Sequence, residues 1–425
     1  IAMEKQNEAL VQKDNATKAT AQAEKLKQIA LLETEFYPVM LRLERLIDES
    51  SDAAPNPIVI ATIQEALLKY YQYKVLIEQT NSGKITTEGL FVLLQTGLKA
   101  LENKNTYRET SMLIKKIKQT SSIRSISVYN DNIIALGGDD QYLYVLNGAS
   151  KNEIPPIKIN ERIRKIVIAN AQEIYVGTFK GNVYRINLKE NNSSKRKVLV
   201  HSESSNIKEL YYEKELNQLV IISSQGVSKV DNFKTTSFLK GKDIFSSYYT
   251  PENRSLLIST SEGLFSLENE VLSPININGL DLKNQKITAI STANYRLFLG
   301  THLGRLYVYE ILNNSANTIS LKFDDKIVLH LSEITKLFFD KNNDNLYSAS
   351  FDNQVLKYDT SLKNVPSITN SAISLNGHEK WVWDINMIKD QNGNDLLITA
   401  DENGNLISWF DNIDELVEKV ESLIK

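Results

Sequence analysis

Between residues 120 and 410, short apolar segments alternate with tight polar turns, and one unit recurs seven times. Each copy is an apolar strand ending in small residues, a turn, and a second strand. The copies run Ile134–Leu146, Ile174–Ile186, Val220–Val230, Leu257–Leu267, Leu297–Tyr309, Leu346–Tyr358 and Leu397–Trp409. A further apolar strand precedes each one: Ile123–Val128, Ile163–Ile168, Ile207–Tyr212, Ile244–Tyr249, Ile287–Ile290, Ile334–Phe339 and Val382–Met387. Repeats of roughly 40–50 residues with four short strands each predict the blades of a β-propeller. Seven of them close a ring that leaves no sheet edge exposed. The turn glycine falls at Gly181, Gly226, Gly263, Gly304 and Gly404, with Asn353 in the sixth copy. Both residue types suit a turn that needs positive φ; Gln141 in the first copy breaks that rule. The seventh copy has three strands before a helical pattern at 414–424 begins, so its outer strand must come from elsewhere. The alternating stretch at 111–118 is the candidate to seal the ring.

The N-terminal third has a different period. From Met3 to Phe36 there is no proline or glycine, and the residues are mostly strong helix formers. The first half is too polar to hold itself by its own core, so it must extend or pack on a partner. Leu26, Ile29, Leu32, Phe36, Met40, Leu43 and Ile47 then build an apolar stripe, with a kink expected at Pro38. After a linker at 50–57, a helix over 58–77 carries Ile60, Ile63, Leu67 and Tyr71 on one face, and another runs from Thr86 to about Leu101. The predicted organisation is mainly β with an α-helical N-terminal part. A helical arm and candidate coiled coil (1–36) leads to a small helical bundle (37–104), a seven-bladed propeller (111–410) and a C-terminal helix (411–425). The arm is the candidate for self-association. The opening Ile1-Ala2-Met3-Glu4 reads as a cut into something longer.

Composition narrows the function classes. Hydrophobic residues make up 42% and charged residues 24%, the profile of a soluble globular protein. The formal net charge of -3 gives no overall field for nucleic acid or an anionic membrane, and Lys195-Arg196-Lys197 reads as a solvated loop tip. With no cysteine, disulfides and thiolate chemistry are excluded. No apolar run reaches the roughly 20 residues that cross a bilayer. A cytoplasmic protein that binds neither nucleic acid nor membrane is expected.

The seventh copy contains Asn376-Gly377-His378-Glu379-Lys380-Trp381-Val382-Trp383-Asp384, then Leu397-Ile398-Thr399 and finally Trp409. This resembles the WD-repeat (WD40) family, whose blades open with Gly-His and close near Trp-Asp. The resemblance implies a bracing network of His378, Thr399 and Trp409, with Asn403 in the place of the family's aspartate. It implies a second one of His330, Ser348, Asp352 and Tyr358 in the sixth copy. The first copy keeps Asp140 but lacks the histidine, and the middle copies have lost most of the pattern. The whole chain, with its charged Ala-rich helix, WD-like blades and acidic-basic closing helix, is similar in organisation to the C-terminal half of bacterial STAND-type signalling NTPases. That likeness implies a sensor or autoinhibitory propeller.

The chain has no P-loop and no Gly-x-Ser-x-Gly elbow, and Val382 stands where a zinc-protease helix would need its second histidine. The four histidines fall in different blades. Turn acids Asp140, Glu262 and Glu402 face one rim, which keeps a glycosidase-like hydrolase as the least favoured reading. No catalytic residue, cofactor or metal is expected. In WD propellers partners usually dock on the rim formed by these turns and the entry loops. There the sequence places Phe179, Lys180, His302, Phe351 and Trp381. Exposed aromatics in that place point to a protein partner; folded back onto neighbouring blades they would be core. The expected function is a non-catalytic interaction or sensor propeller, the regulatory part of a larger signalling NTPase, with a stand-alone oligomeric scaffold as the alternative.

Overall fold

The computed structural model describes residues 57–78 and, with short breaks, 121–424, together with scattered positions between 13 and 42. The predicted sealing strand at 111–118, the helix from Thr86 to Leu101 and most of the arm lie outside the described residues. The chain divides into two compact units: Ile1–Ser111 with Asn412–Lys425, and Met112–Asp411.

In the first unit, helix α1 (Pro57–Glu78) starts on a proline, which suits a first helical position that lacks an N–H partner anyway. Ile63, Ala66 and Leu67 are buried, at the three- and four-residue spacing of one face. Tyr71, expected on that apolar face, is instead exposed, and its hydroxyl donates to Glu421 at 2.5 Å. Glu421 belongs to helix α2 (Ile413–Ile424), and Lys74 reaches Asp414 of the same helix at 2.9 Å. The two helices therefore join one unit, with Leu416, Val417 and Val420 as the buried face of α2. Between Lys13 and Leu31 the described positions are helical and mostly exposed.

In the second unit, the described strands form seven antiparallel sheets, six of four strands and one of three. The innermost strands are Ile123–Tyr129, Ile163–Asn170, Ile207–Glu213, Ile244–Thr250, Ile287–Ala293, Ile334–Asp340 and Val382–Lys389. All start where the apolar pattern starts. The three-stranded sheet is the seventh, Val382–Lys389, Asp395–Asp401 and Leu406–Phe410.

Each sheet is covered on both faces, which is why its second strand reads as a continuous apolar run. Ile133 and Ala135 pack with Ile163, Ile166 and Ile174 of the second blade. The alternate residues Ile134 and Leu136 pack the other way, against Ile388, Ile398 and Leu406 of the seventh. That second cluster closes the ring, and hydrogen bonds reinforce it: Ile126 N–H donates to Asp384 at 3.0 Å and Ser122 to Glu402 at 3.1 Å. The glycine near the end of the second strand in the first and second blades has a steric cause. A Cβ at Gly137 would lie 2.7 Å from Ile163, and one at Gly177 would lie 2.5 Å from Ile207. The first isoleucine of the next blade fills that space.

The turns split into two kinds. In five copies a left-handed residue closes the turn: Gln141 (φ 71°), Gly181 (86°), Gly304 (72°), Asn353 (71°) and Gly404 (78°). Gln141 thus adopts the same strained conformation as its glycine counterparts. In the third and fourth copies the turn is shorter. Ser223 pairs directly with Gly226 and Thr260 with Gly263, so these glycines begin the next strand instead of closing the turn.

Candidate functional site

One irregularity repeats in every blade. The innermost strand slips register at its second residue, a bulge that re-aims one side chain. The bulged residues are Arg124, Arg164, Lys208, Phe245, Thr288, Thr335 and Trp383. Just outside them, the residue after each second strand donates its N–H to the carbonyl before the first: Asp139 to Ser122, Phe179 to Arg162, Ser224 to Asn206, Ser261 to Asp243, His302 to Lys286, Phe351 to Glu333 and Glu402 to Trp381, at 2.9–3.1 Å. This invariant backbone frame presents three side chains per blade on one face of the ring.

The chemistry on that frame is uneven. In blades 1, 2, 6 and 7 it forms one continuous cluster. Phe351 lies 4.8 Å from both Trp381, tilted to it, and Trp383, edge-on to it, and those two indoles are 6.3 Å apart. Arg124 lies 3.8 Å over the Trp383 ring and Arg162 lies 4.2 Å over Phe179. Arg164 sits 5.3 Å from both Phe179 and Trp383. Acids hold part of this charge: Asp139 takes Arg124 at 2.8 Å, and Glu402 accepts Trp383 Nε1–H at 2.5 Å and Arg124 at 3.4 Å. Trp381 remains 48% exposed on top of this assembly. Leu331, on the sixth blade, is 94% exposed while its N–H is pinned to Asp352 at 2.9 Å.

Of the residues placed on the rim by sequence, Phe351 and Trp381 come together. Phe179 joins through the arginines and is half-buried beneath Arg162. Lys180 is exposed beside Glu161, and His302 stands apart on the fifth blade, its Nδ1 accepting from Lys286 N–H at 3.0 Å. Sequence reasoning missed Trp383, Arg124, Arg162 and Arg164. The signal that finds them is the recurrent position after each strand-opening isoleucine or valine for Arg124, Arg164 and Trp383, and the one before it for Arg162, visible once the copies are aligned on that residue.

Deeper in the channel, Lys165, Glu209, Lys336 and Asp384 form a closed ring of charge, with Lys165–Glu209 at 2.9 Å and the other contacts at 3.6–3.8 Å. Burial works against the Lys336 ammonium, but Glu209 and Asp384 outweigh it and raise its pKa. The turn acids weighed for hydrolysis do not pair with one another. Glu402 serves Trp383 and Arg124, Glu262 holds Lys242, and Asp140 accepts the Tyr144 hydroxyl at 2.7 Å and caps Tyr142 N–H. Among the described residues no three His, Cys, Asp or Glu side chains gather in a way that could hold a metal.

Beneath the face, hydrogen-bonded chains brace single blades. In the seventh, Trp409 Nε1–H donates to Thr399 at 3.0 Å, Thr399 lies 2.7 Å from His378 Nε2, and His378 Nδ1 is 2.9 Å from Asp401. The acid is therefore Asp401, and the expectation of Asn403 is corrected: Asn403 is exposed and only donates its backbone N–H to Asp401. The reason is chemical. An ionised carboxylate accepts from the imidazole and from Asn403 and Asn405 together, whereas an amide offers one oxygen. In the sixth blade the chain runs Tyr358, Ser348, His330 and Asp352, with 2.7 Å from His330 to Ser348 and 3.0 Å to Asp352. Burial works against the charge of Asp352 and Asp401, but bonds from their histidines, together with those from Leu331 and Gln354 N–H in the one case and from Asn405 in the other, hold both below the usual carboxylate range. A third brace, invisible in the sequence pattern, uses Glu161 in blade 2. It accepts from Thr178, Asn182 and Tyr184 at 2.7–2.9 Å, and these bonds lower its pKa against the opposing effect of burial.

No family model matches the chain. A stretch of 113 residues, 27% of this chain, is 31% identical to WD repeat and FYVE domain-containing protein 2 of Caenorhabditis briggsae, and the protein of that name from Caenorhabditis elegans matches equally. The match spans 24% of the length of these relatives. The WD40 β-propeller domain of Doa1 is structurally similar with a TM-score of 0.53 and 10% identity, over 70% of this chain and 95% of its own. The fold is a WD40-type β-propeller. Saccharomyces cerevisiae Sqt1 also superposes, with a TM-score of 0.49 and 14% identity over 69% of this chain and 97% of its own. No described helix is long and apolar enough to cross a membrane.

Proposed function

We propose that this chain is a non-catalytic interaction scaffold whose protein partner docks on the turn face of blades 1, 2, 6 and 7, anchored by Trp381. The observation that carries this reading is a large aromatic left half in solvent on a rigid base of Phe351 and Trp383. Such a ring loses little freedom on binding and supplies the kind of anchor that dominates interface energies. Arg162, half exposed over Phe179 on the same face, favours a partner segment that mixes apolar and acidic residues. The test is quantitative capture by wild type and by Trp381→Ala, with Tyr295→Ala as control. Tyr295 is 84% exposed on a turn at the other end of its blade. The reading requires bands lost with Trp381→Ala and kept with Tyr295→Ala; equal loss or equal retention rejects it.

A role as the regulatory part of a larger signalling NTPase rests on the organisational resemblance alone. Detection of the native polypeptide by antibody tests it: a band well above the size of this chain is required. Self-association through residues 1–36 is tested by light scattering of the full chain with and without that segment.

A further inference from the structure

The channel mouth holds positive charge that the fold does not use. Arg164 and Lys208 are bulged residues of adjacent blades, and among the described residues neither makes an ion pair or a hydrogen bond through its side chain. Arg164 Nε is buried without any acceptor, while its guanidinium is held between the Phe179 and Trp383 rings. Ring contacts orient a guanidinium but satisfy none of its N–H groups. Lys286 and His302 border the same space. His302 accepts on Nδ1, which leaves Nε2–H as a further donor. The remaining charges nearby are committed: Arg124 to Asp139 and Glu402, and Lys165 to Glu209. Glu333 faces Arg164, Lys208, Lys286 and His302 together yet pairs with none of them, and the other acids that act on Arg164, Glu209 and Asp139, are engaged with Lys165 and Arg124.

We infer that the channel mouth is a binding site for a phosphate-bearing anion, with Arg164 and Lys208 as its principal ligands and Lys286 and His302 as flanking donors. Three cations against one carboxylate leave two positive charges, which a phosphate dianion matches and a single carboxylate does not. Burial lowers the pKa of Arg164 and of Lys208, helped by repulsion from Arg124 in the first case and from Arg164 in the second, so an incoming anion relieves an existing cost. Burial likewise raises Glu333, making it a poor internal counter-ion. This inference does not depend on a partner docking at Trp381. The phosphate belongs either to a free compound or to a phosphorylated side chain.

The test is calorimetric titration of the full chain with pyrophosphate in chloride buffer free of phosphate and sulfate. Saturable one-to-one binding is expected, weakened at least tenfold by Arg164→Gln and by Lys208→Gln. Glu333→Gln should tighten it several-fold, a gain that a structural role for these residues does not produce. Lys242→Gln, on the fourth blade and paired with Glu262, should leave it unchanged. A short phosphoserine peptide and its serine counterpart identify the source. Tighter binding of the phosphopeptide than of pyrophosphate assigns a modified partner, and the reverse assigns a free compound. Absence of saturable wild-type binding, or binding that Lys208→Gln and Glu333→Gln leave unchanged, overturns the site. Because the titrant is phosphate alone, failure here leaves the Trp381 reading standing, and loss of capture by Trp381→Ala leaves this one standing.

Discussion

The seventh and fourth blades share a backbone frame and differ in almost everything placed on it. In the seventh, Asp401 ends the second strand, closes the turn through Asn403 and Asn405, and extends a buried hydrogen-bonded chain through His378 and Thr399 to Trp409. In the fourth, Thr260 occupies the equivalent place and its hydroxyl accepts one bond, from Glu262 N–H at 3.0 Å. That blade has a shorter polar link, Ser246 and Ser259 donating to the Ile287 carbonyl at 2.9 and 2.8 Å, beside apolar packing of Leu256, Ile258 and Leu267 against Val220, Ile222 and Val227. On the face above, the seventh blade presents Trp381, Trp383 and Glu402 where the fourth presents Asp243, Phe245 and Ser261. Backbone pairing and interblade packing thus suffice to make a blade, while the polar brace through His378 and the surface aromatics are additions carried by particular blades.

Four measurements break or sharpen this comparison. The largest effect is expected from Asp401→Asn, which leaves the buried His378 chain without its acceptor. A loss of about 3 kcal/mol in urea unfolding is expected, against about 1 kcal/mol for Thr260→Val in the fourth blade. Equal losses would mean that the brace carries no more than an ordinary turn bond. Next, Trp381→Ala should weaken partner binding by about 2 kcal/mol, roughly thirtyfold, with the unfolding midpoint unmoved. Asp243→Ala, at the same place in the fourth blade, should leave binding as it is.

The third measurement is the acid limb of stability. Asp352 and Asp401 have folded pKa values below their unfolded ones, so the unfolded state takes up protons first as pH falls. Their stabilisation is complete above the ordinary aspartate value of about 3.9 and is lost as pH drops through the folded values. The Asp352→Asn, Asp401→Asn double variant should therefore show a flatter decline below about pH 4 than wild type. An identical slope would place the acid sensitivity elsewhere. The smallest effect belongs to Gln141→Gly. Removing a side chain from a left-handed position should raise stability by about 0.5 kcal/mol, measured by the same urea midpoint. A loss would show that the glutamine contributes contacts that outweigh its backbone strain.

The period-two apolar runs were enough to count seven blades, place the start of every innermost strand and expect small residues where blades meet. These are local properties: strand alternation, turn chemistry and the volume limit at Gly137 or Gly177 act within a few residues or between successive copies. The His378 and His330 braces were legible because their spacing from the innermost strand recurs in a known blade pattern. Asp401 was not, since a carboxylate two residues before the expected post reaches the same imidazole, and only the curvature of the closed turn decides which does. Glu161 was hidden for the same reason. The turns of the third and fourth copies looked like the others until the strand register showed them to be shorter.

What the sequence determined by itself is the repeat, and with it the ring and its seven-fold backbone frame. What only the tertiary structure decided is which side chains meet across that ring. Trp381, Phe351, Arg162 and Arg164 come from blades of which the most distant are more than two hundred residues apart in sequence, and no local pattern relates them. Closing the first blade onto the seventh brings them to one side of the channel. It also leaves Arg164 and Lys208 there without an ion pair, since Asp139 and Glu209 are engaged by Arg124 and Lys165 and half-buried Glu333 pairs with neither.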